Sequence, residues 1–167
     1  GALMPIHHPE ITRAGTPVLH RPAAPVVTFD AALLELFARM ERICAEVNGA
    51  GLAAPQIGVG LAAAIVAPDR TPLAIDLVNP RIIEASGEQT GPEGCLSVDD
   101  HFDGLTTRPE SVVVEAADRH GHVRRIEAAG FVARALCHEI DHLAGLVFTD
   151  RRPAPLDGLL RRVYRIR

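Results

Sequence analysis

Ala135-Leu136-Cys137-His138-Glu139-Ile140-Asp141-His142-Leu143-Ala144-Gly145 reads as one helix carrying a metal site. Residues four apart share a helix face, so His138 and His142 can each aim a ring nitrogen at one cation. Glu139 lies about 100° around the axis from His138. From there it reaches a coordinated water without being a ligand, the His-Glu-x-x-His arrangement in which the Glu is a general base. Phe131, Val132, Ala135, Leu136, Ile140 and Leu143 give the helix an apolar surface, and Gly145 is a natural stop. The competing explanation is a chance match on a core helix. It would bury imidazole and carboxylate groups with nothing to compensate them, which is costly. A catalytic site of this kind also needs a third protein ligand and an open position for water, and the rest of the chain must supply the ligand.

The chain has 167 residues, enough for one domain with a real core, and no internal repeat or boundary divides it. Residues 1–167 are therefore taken as a single catalytic domain, with Gly1-Ala2-Leu3 ahead of Met4 read as an added segment. The net charge is −4 and the sequence pI about 6.1, with basic residues scattered, so no nucleic-acid footprint is expected. Arg161, Arg162, Arg165 and Arg167 read as a solvated helix end. No apolar run approaches the ~20 residues of a membrane span, and no signal peptide opens the chain. An odd number of cysteines in a chain of this size is no disulfide framework, so a reducing cytoplasm is the expected setting. Cys44 sits on the apolar stripe of a helix and reads as core, and Cys137 as packing beside the His pair.

In chain order, residues 5–28 form a proline-rich arm (Pro5, Pro9, Pro17, Pro22, Pro25) expected to wrap the domain in extended form. Leu33, Leu34, Phe37, Met40, Cys44 and Val47 recur at helical spacing, predicting a helix from Asp30 to Asn48, capped by Thr28 or Asp30. Gly49-Ala50-Gly51-Leu52-Ala53-Ala54-Pro55-Gln56-Ile57-Gly58 is small and almost uncharged. It lacks the Gly-Lys-Ser/Thr of a phosphate loop. Two readings stay open for it: a tight crossover under a sheet, or a wall of a cleft with Gln56 aiming a hydrogen bond inward. Strands are predicted at Leu61–Val66, Leu73–Val78 and Arg81–Ser86, with a turn at Pro68-Asp69-Arg70. Gly91 to Val98 reads as a turn leading into a strand, Asp99–Thr107 as an acidic loop, Ser111–Ala117 and His122–Glu127 as a hairpin, and Leu146–Phe148 as a short strand. Leu156–Arg167 is at most a weak helix. Helix, strands with hairpins, then helix argue an α+β domain, mostly antiparallel, with a helix packed between or on sheets.

Cys95 is the best candidate for the third ligand, because its glycine-rich, acid-flanked setting is unlike an apolar core strand. Two imidazoles and a thiolate satisfy a small divalent cation and leave one position open. Such an ion lowers the pKa of a coordinated water toward ~7, and Glu139 can then move its proton.

Taken together, Gly49-Ala50-Gly51-Leu52-Ala53-Ala54-Pro55-Gln56, Glu93-Gly94-Cys95-Leu96-Ser97 and His138-Glu139-Ile140-Asp141-His142-Leu143-Ala144-Gly145 resemble the peptide deformylase family. The order and separation of the three segments make the resemblance specific. It extends from the proline-rich arm to about Asp150. It implies an α+β fold with the metal helix surrounded by sheets. It implies removal of the formyl group from N-terminal formyl-methionine of new polypeptides, with nascent chains at the ribosome as substrate and a monomer in the cytoplasm. It implies one divalent ion, ferrous iron in the native state and replaceable by zinc, nickel or cobalt, on Cys95, His138 and His142. Glu139 then matches the acid/base, and Gln56 with the backbone N–H of Leu96 the oxyanion donors. Backbone of Gly49, Ala50 and Gly51 matches the peptide-pairing segment, with Glu93 and Gly94 also on the substrate side. No membrane or direct nucleic-acid partner is implied.

After Ser97 the chain departs from the family pattern: Val98-Asp99-Asp100 replaces a segment with a Pro, and no basic residue follows until Arg108. Two other functions compete. A metallopeptidase on the same helix motif would take a further His or Glu soon downstream, and Gly145-Leu146-Val147-Phe148 has none. A metal- or peptide-binding module would have no need of Glu139 as a base.

Overall fold

The computed structural model describes residues 8–67, 74–98 and 105–151. The turn at Pro68-Asp69-Arg70, the first part of the acidic loop, the start of the arm and the C-terminal helix expected at Leu156–Arg167 lie outside them. Helix α1 is Ala31–Glu46; Asp30 caps it, accepting the Leu33 N–H through its side chain. Among the described residues seven strands follow: β1 (Gly51–Ala53), β2 (Ala63–Val66), β3 (Ile75–Ser86), β4 (Gln89–Pro92), β5 (Leu105–Arg108), β6 (Ser111–Ala117) and β7 (Val123–Ala129). Five of them form an antiparallel sheet in the order β1-β2-β3-β6-β7. The other two, β4 and β5, pair as a separate ribbon. Helix α2, Gly130–Leu143, carries the His-Glu-x-x-His segment.

The expected α+β domain, with antiparallel sheets around the metal helix, is what folds. Alternation along β2 explains the layering. Ala63 and Ile65 pack in the cluster that holds Leu33, Phe37, Met40 and Ile43 of α1, whereas Ala64 and Val66 pack with Ala133, Leu136 and Cys137 of α2. Side chains of successive strand residues point to opposite faces, so a strand buried on both is apolar throughout. Cys44 and Cys137 are core residues, as their sequence positions suggested.

Four expectations about strands change. Ile75–Ser86 is one strand, not two, because Asn79 (φ +50°) and Pro80 sit in a bulge where the register shifts between Val78 and Arg81. Pro has no ladder donor and is tolerated at such a bulge. Asn79 uses that position to hold the arm, exchanging two hydrogen bonds with the Val26 backbone at 2.8 and 2.9 Å. The strand near Cys95 precedes it (β4) rather than following it, and the end of the supposed acidic loop, Leu105–Thr107, is paired in β5. Leu146–Phe148 is no strand; Phe148–Arg151 is a 3-10 turn.

From residue 8 on, the proline-rich arm wraps the domain as expected, but it is not extended throughout: Pro17–His20 is a 3-10 helix, with Pro17 at the first helical position where its missing N–H costs nothing. The arm pairs through Ala24 with Leu61, and Ala23 N–H donates to the Leu143 carbonyl at the end of α2. Gly145 follows that end with φ +81°, and a Cβ there would lie 2.6–2.8 Å from backbone atoms of Arg21. Gly145→Ala therefore combines a left-handed backbone with a clash against main chain. It is expected to cost about 1–3 kcal/mol, a fall of roughly 2–12 °C in thermal midpoint. An unchanged midpoint would mean that the arm yields freely at this crossing.

Candidate active site

Helix α2 presents His138 and His142 one turn apart, with ring centroids 4.8 Å apart. Their Nε2 atoms lie 3.2 Å from each other, and His142 Nε2 lies 3.3 Å from Cys95 Sγ. Cys95 follows β4, and its side chain enters from outside the helix. Cys95, His138 and His142 bring three ligand atoms within 4.8 Å of one another, all on buried residues. A soft sulfur and two ring nitrogens converging in this way fit a divalent transition-metal ion. The local electrostatics agree. Burial works against a charged His138, yet the sulfur of Cys95 and the carboxylate of Glu93 outweigh it and raise its pKa to about 10. The pocket therefore attracts positive charge where the ligand atoms meet. Burial, reinforced by the positive charge of His138, pushes His142 well down toward the neutral imidazole a ligand must be, and at His138 a metal cation would take the place of the proton that the site otherwise favours.

Glu139 is buried beside this group, with Oε1 4.0 Å from His138 Nε2 and Oε2 lacking a hydrogen-bond partner among the described residues. Burial pushes its carboxyl up to about 7, against the opposing pull of His138. A carboxylate with a proton affinity near neutrality and a free oxygen suits proton transfer. Its neighbour across the cleft is β1. A Cβ on Gly51 would lie 2.8 Å from the Ile65 carbonyl and 3.2 Å from the side chain of Glu139, so only glycine lets the strand come this close.

Behind the histidines lies a buried ionic network. Glu93 takes Arg108 through both oxygens (3.1 and 2.6 Å), Arg134 at 3.0 Å and His138 Nδ1 at 3.1 Å. Arg108 also donates to Asp141, at 2.5 Å. Burial raises the Glu93 carboxyl, but the His138 and Arg108 hydrogen bonds more than reverse this and hold it down at about 2. An anion fixed on Nδ1 sets the ring orientation and leaves Nε2 facing the ligand group. Phe148 stacks on His138 at 6.3 Å from the other direction.

Gln56 comes from the 3-10 turn Ala54–Ile57 that follows β1. Its Oε1 accepts the Ala53 N–H at 3.0 Å, which aims Nε2 at Ser97 Oγ (3.3 Å) and Cys95 Sγ (3.6 Å). Leu96 is the next residue in the turn that Val98 N–H closes onto the Cys95 carbonyl. A cleft of about 320 Å³ opens here between Asn48–Gly51, Pro92–Leu96, and Phe131, Arg134, Ala135, His138 and Glu139 of α2. Every site residue read from the sequence thus lies at this cleft or on its floor. One role shifts: Glu93 borders the cleft, but its carboxylate is spent on two arginines and a histidine. Sequence reading missed Arg108, Arg134 and Asp141. The signal was present in part, since Arg134 and Asp141 are charges on an otherwise buried helix and needed partners. Their partners lie at distances along the chain that no spacing rule reaches. Arg108 is buried with Glu93 and Asp141, so it is no substitute for a basic residue in the departing loop.

The sequence profile of the family described as polypeptide deformylase matches residues 8–156. Peptide deformylase 1 of Bacillus subtilis is 48% identical over 134 residues, 80% of this chain and 83% of that protein. Peptide deformylase 1 of Bacillus cereus is 44% identical over 142 residues, 85% and 90% of the two chains. Among solved structures, a peptide deformylase from Legionella pneumophila superposes with a TM-score of 0.82 at 38% identity, over 91% of this chain and 90% of that one. The peptide deformylase of Thermus thermophilus gives 0.84 at 35% identity, over 93% and 92%. A thiol and two helix-borne histidines beside a buried carboxylate define a metal-dependent hydrolase site. The chain belongs to the polypeptide deformylase family.

Proposed function

We propose that this chain removes the formyl group from the N-terminal formyl-methionine of newly made polypeptides, releasing formate and a free amino terminus. The observation that carries the reading is the convergence of Cys95, His138 and His142 beside the unpartnered carboxylate oxygen of Glu139, on the floor of an apolar cleft bordered by an edge strand. A divalent ion held by Cys95 Sγ and the two Nε2 atoms would polarise the formamide carbonyl and make water a nucleophile near neutral pH.

The chain's own groups do the rest. Backbone of Gly49, Ala50 and Gly51 pairs with the extended peptide like an added strand. Phe131, Ala135, Leu96 and Pro92 offer apolar wall to the methionine side chain. Glu139 takes the proton of the attacking water and hands it to the departing amine. Gln56 Nε2 and the Leu96 N–H donate to the oxygen that becomes negative, a preorganised stabilisation worth about 3 kcal/mol per donor. Glu93 keeps His138 in the one orientation this requires.

One thiolate and two imidazoles suit the later first-row divalent ions, and ferrous iron is the native ion in this reading, with zinc, nickel or cobalt able to replace it. The setting is the cytoplasm, on nascent chains at the ribosome, with the enzyme a monomer. Among the described residues no helix is long and apolar enough to cross a membrane.

The test is formate release from a formyl-Met tripeptide by protein purified without oxygen, with metal read on the same sample. Turnover with about one ion per chain is expected. A fully metallated sample that releases no formate would overturn the reading.

A further inference from the structure

The two oxyanion donors of the proposed reaction stand on separate segments, Gln56 on the turn after β1 and Leu96 on the turn after β4. Neither is in a helix or strand with the other, so their mutual position needs an explanation. Catalytic groups must be held within about 0.5 Å of their productive geometry. A misplacement of about 1 Å can cost on the order of a hundredfold in rate.

The proline-rich arm spans both. Thr12 N–H donates to the Gln56 carbonyl at 2.6 Å, and Ala14 N–H donates to the Ser97 carbonyl at 2.7 Å. Between them Arg13 Nη1 donates to the Leu96 carbonyl at 3.3 Å. Three successive arm residues therefore grip the backbone of both donor-bearing turns, 41 residues apart between Gln56 and Ser97. Arg13 fixes the peptide unit that follows the donating Leu96 N–H. The arm is anchored on either side of this segment, by Ile11 buried in the α1 cluster and by fully buried Leu19. An arm needed only to cover the core would have no reason to spend a guanidinium on the main chain of the catalytic turn.

We infer that Thr12-Arg13-Ala14 is a brace that sets the spacing of the two oxyanion donors, with Arg13 a positioning residue for the hydrolysis. This rests on the deformylase reading given above. Among the described residues, the bond by which Arg13 reaches the site is the one to the Leu96 carbonyl, so its effect on the hydrolysis runs through Leu96.

The test compares Arg13→Met, which keeps the stem and removes the donors, with Arg13→Lys, which keeps a donor. Formate release from the formyl-Met tripeptide, metal per chain and thermal midpoint are measured for each. R13M is expected to lower kcat about 10–100-fold, the range seen when a supporting hydrogen bond behind a site is removed. KM should stay within about twofold, since an interaction made only in the transition state is lost, and metal content should not change. R13K is expected to recover most of kcat. The inference is overturned if R13M keeps its kcat, if R13K is as slow as R13M, or if the loss follows metal content. A lowered midpoint with unchanged kcat below it would also overturn it, as that is what a brace for folding alone would give. Should R13M not fold, Arg13→Gln reads the same quantities, with the same outcomes deciding. Wild-type protein that releases no formate defeats the deformylase reading itself; active wild type with indifferent Arg13 variants defeats only the brace.

Discussion

Glu139→Ala is expected to leave a folded protein with about one metal ion per chain that releases formate some 10²–10⁴-fold more slowly, the usual contribution of a positioned proton-transfer group. The reasoning is geometric. The ligand atoms are Cys95 Sγ and two Nε2 atoms, and none belongs to Glu139. Among the described residues its carboxylate pairs with no arginine, unlike Glu93, so truncation strands no buried guanidinium. Its methylene and carboxyl carbons lie against Gly51 beside the cleft, so the space left opens to water. What disappears is a base that burial has raised to about 7. Metal analysis and single-turnover formate release on one sample check this. A metal-replete variant with near-normal turnover would remove Glu139 from the mechanism.

Cys95→Ala has the other large effect, on a different quantity. Two imidazoles one helical turn apart remain, and a site with two protein ligands falls short of the three that hold a catalytic ion. Metal is expected to drop from about one ion per chain to well under a tenth after gel filtration, and formate release with it. The helix should survive, because its core contacts run through Ala133, Leu136, Cys137 and Leu143 rather than through Cys95. Full occupancy in this variant would contradict the ligand role. The pair of variants separates the two properties: one keeps metal without turnover, the other loses both.

How far the sequence revealed this site follows from which forces are local. Helix α2 announces itself because 3.6-residue periodicity puts both histidines and the apolar contacts at fixed offsets, and the β6–β7 hairpin because Asp118 to Gly121 breaks two alternating runs. Strand β3 was divided in reading because Asn79-Pro80 looks like a stop; only the arm's hydrogen bonds to Asn79 explain why a bulge there is stable. The β4–β5 ribbon was invisible, since Gln89-Thr90-Gly91-Pro92 has neither alternation nor strand-forming composition and is held by Thr106-bearing β5 and by Gln89 bonding the Pro109 and Gly130 carbonyls. Cys95 could be proposed as a ligand from its setting. The arginines that neutralise Glu93 could not be matched to it, because a buried ion pair leaves no periodic trace.

The two edges of the five-stranded sheet are unlike, and this bears on which of them can take up another strand. On one side the sheet ends in β1, three residues long and beside the cleft; on the other it ends in β7, seven residues long. Along β7, Arg125 and Glu127 are exposed, with Arg124 beside them. Charged side chains on an outer strand discourage a second strand from joining it. One border is thus hospitable to an extended segment and the other is defended. If a peptide substrate pairs at β1 as proposed, the ladder it starts finds no matching border at β7 of a neighbouring copy, so the same sheet that receives a strand on one side is guarded against polymerising through the other.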